Sequence, residues 1–237
     1  MNTNKNSYII IYSSVMVIIV AFLLAFIYQT LKPMQDVNVA LDKKKQILAS
    51  LNIRDLANQE AEAKYQQVVK AETTVEDGLV LYDCQVDGKQ KYVIPVRGMG
   101  LWGPIWGYVA LDDDKNTIFG VNFNHESETP GLGAEIVTEK FRHQFNGKHI
   151  KNAEGEVVSV AVLKSGKLAE GQEQVDAISG ATITSTGVSD MLLSNLGEYA
   201  DFLNKMCNKP CQATCCEAEE VAPATCCEEA CEQTEGE

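Results

Sequence analysis

The sequence predicts an α+β protein: a single N-terminal transmembrane helix, followed by a domain of antiparallel strands and packing helices. Three observations lead there. No residue between Lys5 and Lys32 is charged, and Ile9 to Ile27 is almost wholly apolar; about 20 such residues cross a bilayer as a helix. From Gly78 to Phe123 short strand-type runs alternate with glycine- and aspartate-rich turns, the pattern of hairpins. From Ala181 to about Leu196 the apolar residues Val188, Met191, Leu192 and Leu196 fall at helical spacing, which marks a helix packed by one face.

The chain has 237 residues and a formal net charge of −13. That is room for one sizeable domain with appendages, and the acidity argues against nucleic acid as a partner. Much of the charge is C-terminal: from Cys207 onward there are eight glutamates against one lysine. The apolar N-terminal run exceeds the roughly 7–15 residues of a signal-peptide core, and Tyr28-Gln29-Thr30-Leu31-Lys32-Pro33 offers no small-residue cleavage site. A retained anchor over residues 1–33 is therefore expected, with Tyr8, Tyr12 and Tyr28 suited to the two interfaces. The cations leave orientation weakly determined: Lys5 precedes the span, whereas Lys32 and Lys43-Lys44-Lys45 follow it, which leans towards a cytoplasmic body.

Residues 34–75 read as a helical stalk entering the domain. Met34 to about Val69 has no Gly or Pro and is rich in helix formers, with Leu41, Leu48 and Leu51 on one face. The domain proper is placed at 76–206. Leu79 to Cys84 and Lys91 to Val96 flank Asp87-Gly88, a two-residue hairpin signal. Arg97 to Gly107 holds four glycines and two tryptophans, too irregular for a plain strand. Ile105 to Leu111 and Thr117 to Phe123 form a second strand pair around Asp112 to Asn116. Those aspartates do not complete a calcium loop, lacking the sixth-position glycine and the distal glutamate. No metal site is expected, and His125 reads as a loop histidine. The Pro130-containing loop Asn124 to Glu135 precedes a helix expected from Ile136 to about Phe145. Val157 to Leu163 reads as a strand, and Lys164 to Gln174 as a polar connection.

That connection leads to Asp176-Ala177-Ile178-Ser179-Gly180-Ala181-Thr182-Ile183-Thr184-Ser185. Ser179 is a good N-cap, Gly180 permits a tight backbone, and a helix N-terminus favours an anion. One reading is an ordinary capped helix. The other is a phosphate-bearing site, in which Thr182, Thr184 and Ser185 are all candidate hydroxyls that the residues alone do not separate.

Asp-x-x-Ser-Gly-Ala-Thr resembles the flavinylation motif of FMN-binding domains. With Glu-Thr-Pro-Gly-Leu-Gly at 128–133, the chain resembles the C-subunit of the Na+-translocating NADH:quinone reductases. That family shares its domain with the G-subunit of the Rnf-type ferredoxin:NAD+ oxidoreductases. Leu101 to Leu111, Leu31-Lys32-Pro33 with Ala40 to Lys43, and Thr182 to Val188 lean towards the former. The resemblance covers about residues 1 to 205. It implies FMN joined to Thr182 by a flavin transferase through a phosphoester, with Asp176, Ser179, Gly180 and Ala181 as the recognition frame. It further implies flavin contacts from Glu128, Thr129, Gly131, Leu132 and Gly133, and a flavin-side wall from Trp102; the alternative for that tryptophan loop is a cover over the core.

By the same resemblance the chain relays single electrons among the other subunits of a membrane redox complex that oxidises NADH, reduces quinone and exports Na+. The flavin domain then lies on the periplasmic face of the inner membrane, against the weak charge signal. The chain reads as having no Gly-x-Gly-x-x-Gly dinucleotide fingerprint after a strand, so NADH is expected to bind elsewhere. A binding module without flavin is the rival of another class. The acidic tail, 207–237, carries seven of the eight cysteines with no Cys-x-x-Cys unit. Its composition favours disorder, with or without disulfides, over a metal or redox relay.

Overall fold

In the computed structural model, described for residues 6–74, 78–164, 166–169 and 171–204, the first helix, α1 (Asn6–Ser50), runs without a break through Pro33. The expected boundary at residue 33 is therefore not a break in the chain path. α1 contains the one helix stretch among the described residues that is long and apolar enough to cross a membrane, and its side chains from Ile9 to Val39 are exposed. The expected continuous helix to Val69 is interrupted instead. The chain turns after Ser50, with Asn52 and Asp55 at positive φ, conformations that such short polar residues tolerate, and resumes as α2 (Asn58–Val68).

The sheet then begins earlier than the expected domain start at 76. Five antiparallel strands follow in simple up-and-down order: β1 (Val69–Thr74), β2 (Val80–Val86), β3 (Lys89–Met99), β4 (Pro104–Leu111) and β5 (Ile118–His125). The β2–β3 turn is the expected hairpin. Asp87 (φ 50°) and Gly88 (φ 78°) both take left-handed backbone, as a type I′ turn requires. In the β4–β5 turn the Asp114 carboxylate accepts from Asn116 and Thr117 N–H, both at 2.9 Å.

Side chains alternate across the sheet. Tyr92, Ile94 and Val96 of β3 join Ile105, Val109, Val121 and Phe123 in the larger core, while Val93 turns to the smaller one. The smaller core lies on the α1 side, where Ile47, Leu48 and Leu51 pack with Ala61 and Val68 of α2 against Tyr82, Cys84 and Ala110. The apolar stalk face of Leu41, Leu48 and Leu51 thus has its partner.

The larger core is closed by three short elements and two helices. The helix expected over 136–145 is instead a 3-10 turn Gly133–Val137, a single α-turn α3 (Glu139–Arg142) and a second 3-10 turn His143–Phe145. Thr138 breaks it: its backbone is extended (ψ 148°) and its Oγ1 donates to Glu135 O at 2.7 Å. β6 (Val160–Leu163) is shorter than expected and pairs in parallel with β7 (Glu173–Asp176), an unexpected strand that begins in the last two residues of the expected polar connection; it buries only Val175, too weak an alternation to announce itself.

α4 (Thr182–Glu198) lies directly on β3. Asn195 accepts Arg97 N–H at 3.1 Å and donates to Arg97 O at 3.0 Å, and a Cβ at Gly187 would collide with Met99 O. A short α5 (Ala200–Asn204) follows, where Lys151 Nζ donates to Leu203 O at 2.7 Å. The Cys-rich segment 207–237 lies outside the described residues.

Candidate functional site

The helix start that the sequence singled out is built from β6, β7 and the turn between β7 and α4. Ala177 N–H donates to Leu163 O at 2.8 Å, which carries the β6–β7 pairing one step beyond the strands. Ala181 N–H then closes a turn onto Ile178 O at 3.1 Å. Gly180 occupies it at φ 80°, backbone that a residue with a Cβ takes only under strain. The first helical bond is Ser185 N–H to Ala181 O at 2.9 Å, so the N–H groups of Thr182, Ile183 and Thr184 have no acceptor within the helix. The expected cap is displaced: Ala181, not Ser179, holds the N-cap position, and no side chain caps it. The left-handed turn at Gly180 starts the helix beyond the serine's reach.

The three candidate hydroxyls now separate. Thr184 and Ser185 are each 1% exposed. Thr184 Oγ1 donates to Glu128 Oε2 at 2.6 Å, and Ser185 Oγ accepts Ile178 N–H at 3.1 Å. Thr182 is exposed.

Beneath the helix start sits Glu128, 4% exposed. Oε1 accepts Trp102 N–H at 2.8 Å, and Oε2 accepts Thr184 Oγ1. Burial pushes this carboxyl up, but the hydrogen bonds from Thr184, Trp102, Gly103 and Leu101 outweigh it and hold the group below the ordinary carboxylate range. The carboxylate thereby ties the Leu101–Gly103 turn, its own loop and the first turn of α4 together. Its space is defined by glycines. A Cβ at Gly100 would lie 2.5 Å from Oε1, and one at Gly133 would meet Oε2 and lie 2.6 Å from Thr184 Oγ1. The loop is closed by Leu132 and Ala134 N–H donating to Thr129 O, both at 3.1 Å. His125 Nδ1 accepts Glu128 N–H at 3.3 Å, a structural loop role.

A cavity of about 420 Å³ opens beside Thr182, lined by Ser179, Gly180, Ile178, Lys164, Lys167 and Thr186 among others. Of the expected residues, Ser179, Gly180 and Thr182 line it, as does Ser185, whose buried Oγ accepts Ile178 N–H. Ala181 is buried behind them and Asp176 is exposed at the end of β7. Leu132 approaches the same turn, since a Cβ at Gly180 would stand 2.8 Å from its Cδ2. Glu128 and Gly133 lie behind the helix start rather than in the cavity, and Thr129 and Gly131 are exposed in the loop. The sequence places Lys164 and Lys167 in a polar connection. Their spacing gave no sign of the site, because only the unexpected β6–β7 pairing carries them to Thr182.

Outside the cavity the surface is apolar: Trp102 is 67% exposed, Ile183 59% and Leu132 40%. Trp102 is therefore not a cover over the core. Exposed apolar groups of this size gathered about one helix start mark a binding surface. The run Gly98-Met99-Gly100-Leu101-Trp102-Gly103 has the spacing of a dinucleotide fingerprint, but it joins β3 to β4 and lacks the helix that such a fingerprint opens. A larger cavity, about 760 Å³, lies between α1 and β4, away from this hydroxyl.

Residues 100–196 match the model of the FMN-binding domain. The chain is 38% identical over 122 residues to the Na(+)-translocating NADH-quinone reductase C-subunit of Pseudomonas aeruginosa, over 50% of this chain and 46% of that protein. It is 35% identical over 133 residues to the corresponding C-subunit of Chlamydia trachomatis, over 50% and 42%. It thus spans about half the length of the curated relatives it matches. The crystal structure of the C-subunit from Parabacteroides distasonis superposes with a TM-score of 0.70 at 42% identity, covering 75% of this chain and 98% of that one. Shewanella oneidensis NqrC, at 23% identity and a TM-score of 0.56 over 69% and 97%, shares the fold. With the helix start, its glycine-framed carboxylate and this near-complete overlap with the Parabacteroides protein, the chain belongs to the C-subunit family of the Na+-translocating NADH-quinone reductases.

Proposed function

We propose that the chain is a membrane-anchored electron carrier, with FMN esterified to Thr182, in a Na+-pumping NADH:quinone reductase complex. The observation that carries this is the separation of hydroxyls: at the helix start that matches the flavinylation motif, Thr182 is free to react and its neighbours Thr184 and Ser185 are buried in hydrogen bonds. The residues fit the group. The unsatisfied N–H groups of Thr182, Ile183 and Thr184 favour a phosphoester's negative charge, and the exposed Trp102, Leu132 and Ile183 offer apolar contact to a flat ring.

When bound, FMN supplies the electron chemistry; the protein positions it and sets its surroundings. α1 anchors the domain in the inner membrane, flavin domain on the periplasmic face, and a flavin transferase performs the attachment. The other subunits supply and take the electrons that pass from NADH towards quinone. The test is to express the full chain with a flavin transferase and map the flavin-bearing peptide by mass spectrometry. The expected result is FMN on Thr182 and a flavin that survives denaturation. Flavin mapped to Thr184 or Ser185, or a colourless protein, would refute it.

A further inference from the structure

We infer that Lys164 and Lys167 are the cationic half of the flavin attachment site, holding the phosphate against Thr182; this rests on the Thr182 reading above. Both line the same 420 Å³ cavity as Thr182. Among the described residues, neither belongs to an ion pair.

Their positions are set by the backbone. Lys164 follows β6 directly, and the Ala177 N–H bond to Leu163 O places it beside the turn that precedes Thr182. Lys167 N–H bonds Lys164 O at 3.0 Å. Gln174 of β7 then clamps the far side: its Nε2 donates to Lys167 O at 3.0 Å, and its Oε1 accepts Ala169 N–H at 2.8 Å. Asp176 stands opposite Leu163 in the pairing and brings one carboxylate charge to this frame. It leaves the pair of lysines with the larger charge.

Attachment exchanges one P–O bond for another. The Thr182 Oγ1–P bond forms as the phosphoanhydride bond of an activated flavin nucleotide breaks. The departing phosphate takes the bonding electrons and the hydroxyl proton, and nothing is oxidised. Negative charge is greatest while both phosphates are present, so two cations beside the hydroxyl act most strongly then. A helix N-terminus contributes only about half a charge.

The experiment uses the full chain with a flavin transferase and an activated flavin nucleotide. It follows the initial rate of covalent attachment by in-gel fluorescence and intact mass. Three chains are compared: wild type, the double variant Lys164→Gln/Lys167→Gln, and the double variant Lys164→Arg/Lys167→Arg. Both lysines are exposed, and an unchanged melting transition confirms folding. The glutamine variant should attach flavin about tenfold more slowly, the size of one charge-assisted contact, and the arginine variant should keep most of the wild-type rate. Equal rates in all three, with flavin on Thr182, would overturn the role of the lysines and leave the Thr182 reading intact. Equal slowing in both double variants would overturn it too, since charge would not be the agent. Absence of flavin from wild-type Thr182 would overturn the underlying reading and this one with it.

Discussion

The first turn of α4 has two sides, and they differ in what they do with the same kind of group. Thr184, on the inner side, commits its hydroxyl to Glu128, under a roof of Gly100 and Gly133 that admits no side chain. Thr182, on the outer side, faces a cavity with Ser179, Lys164 and Lys167. Two threonines two positions apart thus divide the labour. One is locked by a desolvated carboxylate and makes the helix start rigid; the other is left accessible on that rigid base. An accessible hydroxyl on a braced helix turn suits the attachment proposed for Thr182, since orientation is worth most when the support does not move.

The contrast is broken most sharply at Thr182. Thr182→Ala should abolish covalent flavin altogether while changing stability by no more than about 0.5 kcal/mol, as expected of an exposed side chain. Intact mass and chemical denaturation on the same sample read both quantities. Retained flavin in this variant would remove the distinction between the two sides.

The inner side should show the opposite pattern. Glu128→Ala leaves the Thr184 hydroxyl and the N–H groups of Leu101, Trp102 and Gly103 without their buried acceptor, and should cost about 3 kcal/mol in urea unfolding. The same carboxylate predicts a pH effect. Its folded pKa lies below the ordinary 4.5, so its contribution is fully present above that value and is lost as pH falls through the lowered one. Acidification below about pH 4.5 should therefore destabilise the wild type more than Glu128→Gln. Parallel curves for the two would mean that the carboxylate's charge does not hold the turn.

A smaller comparison sharpens the role of the loop. Gly133→Ala drives a Cβ into Glu128 and Thr184 and should cost about 2 kcal/mol. Gly131→Ala meets open space but holds φ 75°, and should cost about 1 kcal/mol. Melting of the two variants side by side checks the order; a reversal would move the packing constraint from position 133 to position 131.

Much of this was legible in the residues because it is local. Charge-free length marks the span, Asp87-Gly88 the hairpin, and the spacing of Val188, Met191, Leu192 and Leu196 the packed face of α4. The motif around Thr182 is contiguous too, so it reads directly along the chain. Other features depend on partners far apart in sequence. The exclusion of Thr184 and Ser185 as free hydroxyls comes from Glu128 and from the backbone turn at Gly180. Glu128, expected beside the flavin, is buried and braces the turn through Trp102 N–H and Thr184 Oγ1.

The stalk helix shows the limit of propensity. Nothing in the composition from Met34 to Val69 forbids a continuous helix, yet the chain turns at Asn52 and Asp55 so that α1 and α2 can both cover Val93 and Ala110 of the sheet. The long apolar helix, the β2–β3 hairpin and the helix start at Thr182 follow from neighbours along the chain. Which of the three hydroxyls is exposed, and which lysines share its cavity, depends on segments distant in sequence. Burial and parallel strand pairing are set by segments that meet in space, and no local pattern encodes them.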